Sequence, residues 1–345
     1  MASSEQAFDR QVELVAYDPG TVSSAAVLEQ GGQRFGLLLS GLDIEFTVTR
    51  SQVYADNIAE FKIYNASEQT RRQLAAPGQR VRFSAGYKGQ GGPLGIFWGT
   101  ILKAPSHRSE DSWITTLTCV SSLTESLGAE DIATWDQKNP RASIEQKLAV
   151  TTRATNRIPV ALSYGTGARV QEIIRTMSTI TGLVVWGLEG MPDILLPNGF
   201  TYVGGARGAL DQLNKLLRRH GWSLNIDNTS LVIMPLDGGN VTLRSAYLTY
   251  ETGLIDVKET TDLNIPPKLN KAGQRIVIPQ SFEFSCLLSP KISPNSLVRF
   301  DVPHAQVDAL VGTVTHSGDT FGGEFTTKGK CVVWTGPGDT YRKAP

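Results

Sequence analysis

Gly78-Gln-Arg-Val-Arg-Phe83, an aromatic-and-glycine connector, then Trp98-Gly-Thr-Ile-Leu102 and Thr115-Thr-Leu-Thr-Cys119 form a pattern that returns late in the chain. The second version reads Asn295-Ser-Leu-Val-Arg-Phe300, a shorter connector, Val311-Gly-Thr-Val-Thr315, Phe325-Thr-Thr-Lys328 and Cys331-Val-Val-Trp334. Val298 follows Val81 by 217 residues and Gly312 follows Gly99 by 213, so the match requires only the connector to change length. In both copies Val and Phe flank an Arg, which puts two apolar side chains on one strand face and the cation on the other. The fragments are short and built of common strand residues, so chance is the competing explanation. Two related β modules per chain would become six in a trimer, a way for a threefold particle to meet a sixfold ring.

With 345 residues the chain is long for one core, and two or three domains are expected. Lys plus Arg and Asp plus Glu both total 33, which leaves no basic excess for general nucleic-acid binding. Cys119, Cys286 and Cys331 sit in or beside apolar strand-like runs, as reduced core residues do. The N-terminal Met1-Ala-Ser-Ser-Glu-Gln-Ala-Phe-Asp-Arg10 lacks the apolar core of a signal peptide, and no run reaches the length of a membrane helix. A soluble chain without a membrane-spanning segment is expected, with synthesis inside the cell. Many Gly and Pro and only four Met favour a turn-rich β protein.

Residues 35–119 alternate between strand patterns and turns. Leu42, Ile44, Phe46 and Val48 line one face of a period-two run, and Phe61-Lys-Ile-Tyr-Asn65 repeats the pattern. Ser67 is placed to cap a short helix before Pro77-Gly78. The middle differs. Val170, Ile173, Ile174, Met177 and Ile180 share a helical face that stops at Gly182, with a strand at Leu183-Val-Val-Trp186 after it. Leu210, Leu213, Leu216 and Leu217 mark a second helix ending in Lys215, Arg218 and Arg219, followed by a hairpin from Trp222 to Pro235. Asn139-Pro140 opens a third, short helix through Leu148. Strand patterns return after Thr242, strongest at Ile276-Val-Ile278 and 281–288, with 258–275 reading as an exposed loop. The expected fold is mainly β with an α+β insert: tube-like β-barrel domains at 1–125 and 246–345, a central α+β domain at 126–245, and strands possible in exchange with the centre.

His316-Ser-Gly-Asp319, with Glu324 close by, is the most catalytic-looking cluster. A Ser next in sequence to its base cannot normally receive that base's nitrogen, so a polar β-turn is favoured over a nucleophile. With no second His at ligand spacing, a metal site is not expected. The Gly86–Gly95 stretch lacks the Gly-Lys-Ser/Thr of a phosphate loop and precedes a strand, so a long mobile hairpin loop is the reading there. Gly204-Gly-Ala-Arg-Gly208 leaves room for an anion at a helix start. Glu130, Asp131 and Asp136 with Trp135 could line a sugar cleft, although an exposed linker is favoured. Lys215, Arg218, Arg219 and His220 form a cationic helix end, which a solvated face explains better than nucleic-acid contact. No catalytic, metal or cofactor residue is therefore assigned.

Asn57 to Asn65, Thr70-Arg-Arg-Gln-Leu74, Val81 to Gly89 and Ile96-Phe-Trp-Gly99 together resemble the N-terminal part of baseplate hub proteins from contractile-tailed bacteriophages. Trp222 to Pro235, Glu251-Thr-Gly-Leu-Ile255, Leu287 to Ile292 and Thr315-His-Ser-Gly-Asp319 continue the resemblance in the same order, over roughly 35–330. Asp256-Val-Lys258 departs from it, where the family more often has a Gly and a Pro. The resemblance implies a non-enzymatic, homotrimeric ring in the virion tail baseplate, with two tube-like barrels per chain beneath the hexameric tail tube. Its implied partners are a second and third copy, the tail tube protein, a trimeric central spike and baseplate wedge proteins, with phage DNA passing through the channel. Interface candidates on that reading are Phe61, Tyr64, Arg71, Arg72, Tyr87 and Arg299. A tail-associated cell-wall hydrolase, or a hub or spike component of a contractile bacteriocin or secretion system, are the alternatives.

Overall fold

A computed structural model describes residues 9–17, 36–51, 57–76, 79–109, 111–121, 159–227, 230–235, 244–260 and 280–334. The helix expected at 139–148, the carboxylates Glu130, Asp131 and Asp136 with Trp135, the run 276–278 and residues 261–275 of the expected loop lie outside them.

The protein is mainly β, with a small α+β insert. Its first strand unit comprises β1 (Arg10–Tyr17), β2 (Leu37–Leu39), β3 (Ile44–Ser51), β4 (Asn57–Tyr64), β5 (Arg80–Tyr87), β6 (Leu94–Lys103), β7 (Ser106–Ser109) and β8 (Ser112–Ser121). The second comprises β16 (Arg244–Leu248), β17 (Leu254–Glu259), β18 (Ser281–Leu287), β19 (Leu297–Val302), β20 (Ala305–Asp319) and β21 (Phe325–Val333). Leaving aside β2 on the outer edge of β1 and β7 on β8, strand order in the first unit is β3-β4-β8-β6-β5-β1, and in the second β17-β18-β21-β20-β19-β16. The two are the same order, traversed by the chain in the same sequence. Only the last strand differs in direction, since β1 is antiparallel to β5 whereas β16 is parallel to β19.

Register makes the equivalence residue by residue. The Ile101 N–H donates to Gln79 O and the Val311 N–H to Ser296 O, so Val81 matches Val298 and Phe83 matches Phe300. Cys119 faces Ile101 and Ala59, as Cys331 faces Val311 and Phe282. The expected match of Gly99 with Gly312 is corrected. Gly99 lies opposite Val81, and Ala309 lies opposite Val298, so these two correspond. The second hairpin connector is thus shorter by seven residues, not four. Gly312 instead occupies the register shift between Val311 and Thr313, the counterpart of the shift between Ile101 and Lys103. The expected long loop at 86–95 is a 3₁₀ turn at Lys88–Gln90, closed by the Gly92 N–H on Tyr87 O. Residues 258 and 259, expected in a loop, belong to β17, where a register shift between Leu254 and Asp256 absorbs the departure noted in the sequence.

Alternation explains the core. Ile44, Phe46 and Val48 on β3 and Ala59, Phe61 and Ile63 on β4 are buried, with polar neighbours between them less so. Phe83 stands 4.7 Å from Phe46 and 4.6 Å from Phe61, ring centre to ring centre. The second unit lends Phe325 and Leu288 to this core, while Phe282, Phe284, Phe300 and Val311 anchor a separate cluster. Between β4 and β5, Ser67 accepts the Thr70 N–H and starts helix α1 (Glu68–Leu74), as its sequence foretold.

The insert has its own core. It holds β9 (Pro159–Tyr164), β10 (Ala168–Arg169), α2 (Val170–Thr181), β11 (Val184–Trp186), β12 (Leu195–Leu196), β13 (Phe200–Gly205), α3 (Ala206–Arg219), β14 (Trp222–Asp227) and β15 (Ser230–Pro235). Val170, Ile173, Ile174 and Met177 face Leu210, Leu213 and Leu217 within one cluster. Ile180, expected on the buried face, is exposed; Thr181 is buried instead, its hydroxyl donating to Met177 O. Gly182 ends α2 at φ 70°, a conformation that costs a residue with a Cβ.

Phe83 touches both neighbouring aromatics and cannot be replaced by collapse of the wall around it. Phe83→Ala is expected to cost about 3–5 kcal/mol, read as a lower denaturation midpoint at unchanged slope.

Candidate functional site

The place where chemistry-bearing residues gather is the seam between the two units. The second half of β20 pairs with β3 over seven residues, from Thr313 opposite Ser51 to Asp319 opposite Glu45. The other edge of the same stretch pairs with β21. On one face, hydroxyls run across the strands: Thr49 Oγ1 lies 3.2 Å from Thr315 Oγ1, Ser51 Oγ 3.4 Å from Thr313 Oγ1, and Ser317 Oγ 3.3 Å from Thr326 Oγ1.

His316, Ser317 and Asp319, expected in a turn, are in strand; the turn follows at 320–324. Strand alternation sends His316 and Ser317 to opposite faces. His316 is fully buried, with Nδ1 2.9 Å from Thr327 Oγ1, which also accepts the Ser289 N–H. Burial, chiefly, and then the nearby Arg50 guanidinium depress its pKa to about 3, against a smaller upward pull from the Ile292 backbone. It is therefore a neutral structural imidazole. Asp319 Oδ1 accepts the Phe321 and Gly322 N–H groups and holds the turn. Glu324 pairs with Lys328 at 3.1 Å. Each member of the apparent triad has another role, and among the described residues the Ser317 hydroxyl meets the Thr326 hydroxyl and not a base.

Arg10, which the sequence did not single out, locks this turn to the first unit. Its guanidinium donates to the carbonyls of Asp319, Gly322 and Gly323 and lies over the Phe325 ring. Tyr87 packs on Phe325 from another side, and its hydroxyl donates to Phe325 O. Gly318 is needed beneath, because a Cβ there would meet Phe325 Cδ2 at 2.5 Å and Phe46 Cζ at 2.9 Å. Phe321, at the tip, is exposed.

Two interface candidates are corrected by burial. Phe61 and Tyr87 lie inside the core of a single chain and have no surface to offer. The others are at least partly exposed: Tyr64 donates to Glu45, Arg71 stacks 3.9 Å over Trp113, Arg72 pairs with Glu68 at 2.6 Å, and Arg299 pairs with Asp308 at 3.2 Å. Gly204 and Gly205 are the end of β13, not a free anion loop, and the Tyr202 hydroxyl donates to Gly205 O. Cys119, Cys286 and Cys331 are buried free thiols, the last two pushed up to about 12 by burial. Among the described residues no group of three or more His, Cys, Asp or Glu could hold a metal, and no helix is long and apolar enough to cross a membrane.

Solved structures resemble this chain in overall fold. Over 95% of this chain and 98% of the other, it matches the tail protein from Neisseria meningitidis MC58 at a TM-score of 0.54 and 9% identity. The 43 kDa tail protein of prophage MuSo2 from Shewanella oneidensis matches over 94% of this chain and 98% of its own, at 0.52 and 13% identity. Its fold is that of phage and prophage tail proteins. An E. coli type VI secretion component, itself described as similar to T4 bacteriophage tail proteins gp27 and gp5, matches at 0.51 and 9% identity, over 88% of this chain and 76% of that one. No family model matches the sequence, and no curated protein matches it.

The His316 pKa sets a pH window. Because its folded pKa lies below the unfolded value of about 6.5, its neutral burial stabilises the fold fully above that pH. This contribution declines as pH falls toward about 3. Replacing His316 with Asn is expected to flatten that acid slope, by at most about 1.4 kcal/mol per pH unit. Urea midpoints measured at pH 7, 5 and 4 check it.

Proposed function

We propose that this chain is a structural hub of a contractile tail baseplate, joining a hexameric tube to a trimeric central spike. The observation that carries the reading is the duplicated strand order within one chain. Three chains then present six similar units, the number needed to continue a sixfold tube while keeping threefold symmetry for a spike. Likeness in fold to phage tail proteins supports it. On this reading the two strand units are the tube-like domains, with the insert at their side. Their ring encloses a channel for phage DNA, wedge proteins hold it from outside, and the protein resides in the virion tail. Interfaces of such permanent assemblies commonly bury roughly 2,000 Å² or more. The seam offers no activated nucleophile, which favours a structural role over cell-wall hydrolysis.

A second reading is the equivalent hub of a contractile secretion system, favoured by the likeness to the E. coli component. Neighbouring genes for a capsid, or for secreted effectors, discriminate between the two.

Light scattering is expected to give three times the chain mass of 37.4 kDa. A dominant dimer or tetramer in the assembled particle would overturn the hub. Purified protein is also expected to leave peptidoglycan and ester substrates intact. Cleavage lost in a folded Ser317→Ala variant would replace the structural reading with an enzymatic one.

A further inference from the structure

We propose that copies of this chain join edge to edge, β7 of one copy pairing antiparallel with β17 of the next, and that Trp113 of the first copy seats on the second unit of its neighbour. The inference rests on the hub reading for its partner, a second copy of the chain, but its geometry comes from pairings inside one chain.

The intrachain seam is the template. The second half of β20 bonds on one side to β21 and on the other to β3. In the first unit the counterpart of that stretch is β7, which continues the register of β6 after Ala104-Pro105 and pairs with β8. Ser106, opposite Thr115, corresponds to His316, opposite Thr327; likewise Ser109 corresponds to Asp319. The counterpart of β3 is β17: Phe46 faces Phe61 as Val257 faces Phe284. Among the described residues, β7 pairs only with β8 and β17 only with β18. Both halves of a second seam are thus present in each chain, at edges that the described residues do not join.

The template also sets the register. Ser317 opposite Thr47 translates to His107 opposite Lys258, and Asp319 opposite Glu45 to Ser109 opposite Asp256. All four β7 side chains are exposed, as are Asp256, Lys258 and Glu259. In this register Arg108 lies opposite Val257 and shares a strand face with Glu259, a complementary charge. His304 Nε2 stands 3.3 Å from Val257 O, whose second lone pair remains for an incoming N–H.

Trp113 supplies an independent observation. Opposite Arg108 on β8, it corresponds to Phe325, opposite Gly318 on β21. Phe325 leaves its own unit and is buried against Phe46 and Tyr87 of the other. Trp113 is 39% exposed, covered within the chain by Arg71. Arg108 stands where Gly318 makes room for Phe325, so Trp113 seats less deeply than Phe325 does; it would meet the smaller Val257 of a neighbour, which holds the place of Phe46, with His304 at the place that Tyr87 holds.

Cysteine pairing tests the contact on the full chain. His107→Cys combined with Lys258→Cys, oxidised and run without reductant, is expected to give covalent species ending at three chains. Ser317→Cys with Thr47→Cys, the intrachain equivalent, calibrates the chemistry and is expected to give a monomeric cross-link. His107→Cys with Asp256→Cys, two residues out of register, is expected to give at least tenfold less. Trp113→Ala should raise the trimer dissociation constant about tenfold or more, as loss of a central aromatic anchor does. A three-chain mass without the His107–Lys258 cross-link overturns this contact and leaves the hub standing. Cross-linking in an assembly of another number supports the contact and overturns the hub, whereas neither trimer nor cross-link overturns both.

Discussion

Seven residues of β20 laid against β3 make one molecule of two strand units. Without that pairing each unit would carry a long open edge, and Phe325, borrowed by the first core, would have no place to go. β20 can do this because it is unusually long, with its first half in the β19 hairpin and its second half on β3. The pairing is sensitive to register. A slip of one residue would turn His316 and Val314 out of the core and drive Thr315 and Ser317 into it.

The seam is reinforced from its far end. Arg10, near the start of the described chain, grips the carbonyls of the 319–323 turn, more than three hundred residues away in sequence. A guanidinium with its donors fixed in a plane suits that task better than an ammonium, since three carbonyls and a ring face are served at once. Burial first, and then the neighbouring Asp319 and Glu45 carboxylates, push the Asp43 carboxyl pKa upward at this corner. The turn is therefore held by geometry, and Phe321 projects from a fixed support.

What could be read from the residues was whatever depends on local period. β3, β4, both long helices and the 222–235 hairpin follow from alternation or from a 3.6-residue repeat, and Ser67 and Gly182 mark ends by local hydrogen bonding and φ. The repeat itself was visible at Val81 and Val298 because strand faces preserve it. Gly99 and Gly312 misled, since a three-residue shift in strand pairing leaves a Gly-Thr look-alike in view, and only cross-strand register exposes it. Contacts between distant segments carry no local period. Arg10 on the turn and Phe325 in the other unit's core were beyond a reading from spacing.

The difference between the two seams is itself informative. Within the chain the joint spans seven residues, is enclosed, and contains a buried imidazole and a glycine that admits two aromatic rings. At the equivalent place in the first unit, Pro105 interrupts the strand, because it offers no N–H to continue a ladder, and only four polar residues follow. Short, polar and proline-broken edges resist indiscriminate pairing. An edge of that kind adds little to folding, yet it can pair once another contact has brought the right strand alongside. On the proposed arrangement Trp113 provides that contact, and the same fold thereby makes one joint that forms with the chain and another that waits for a second copy.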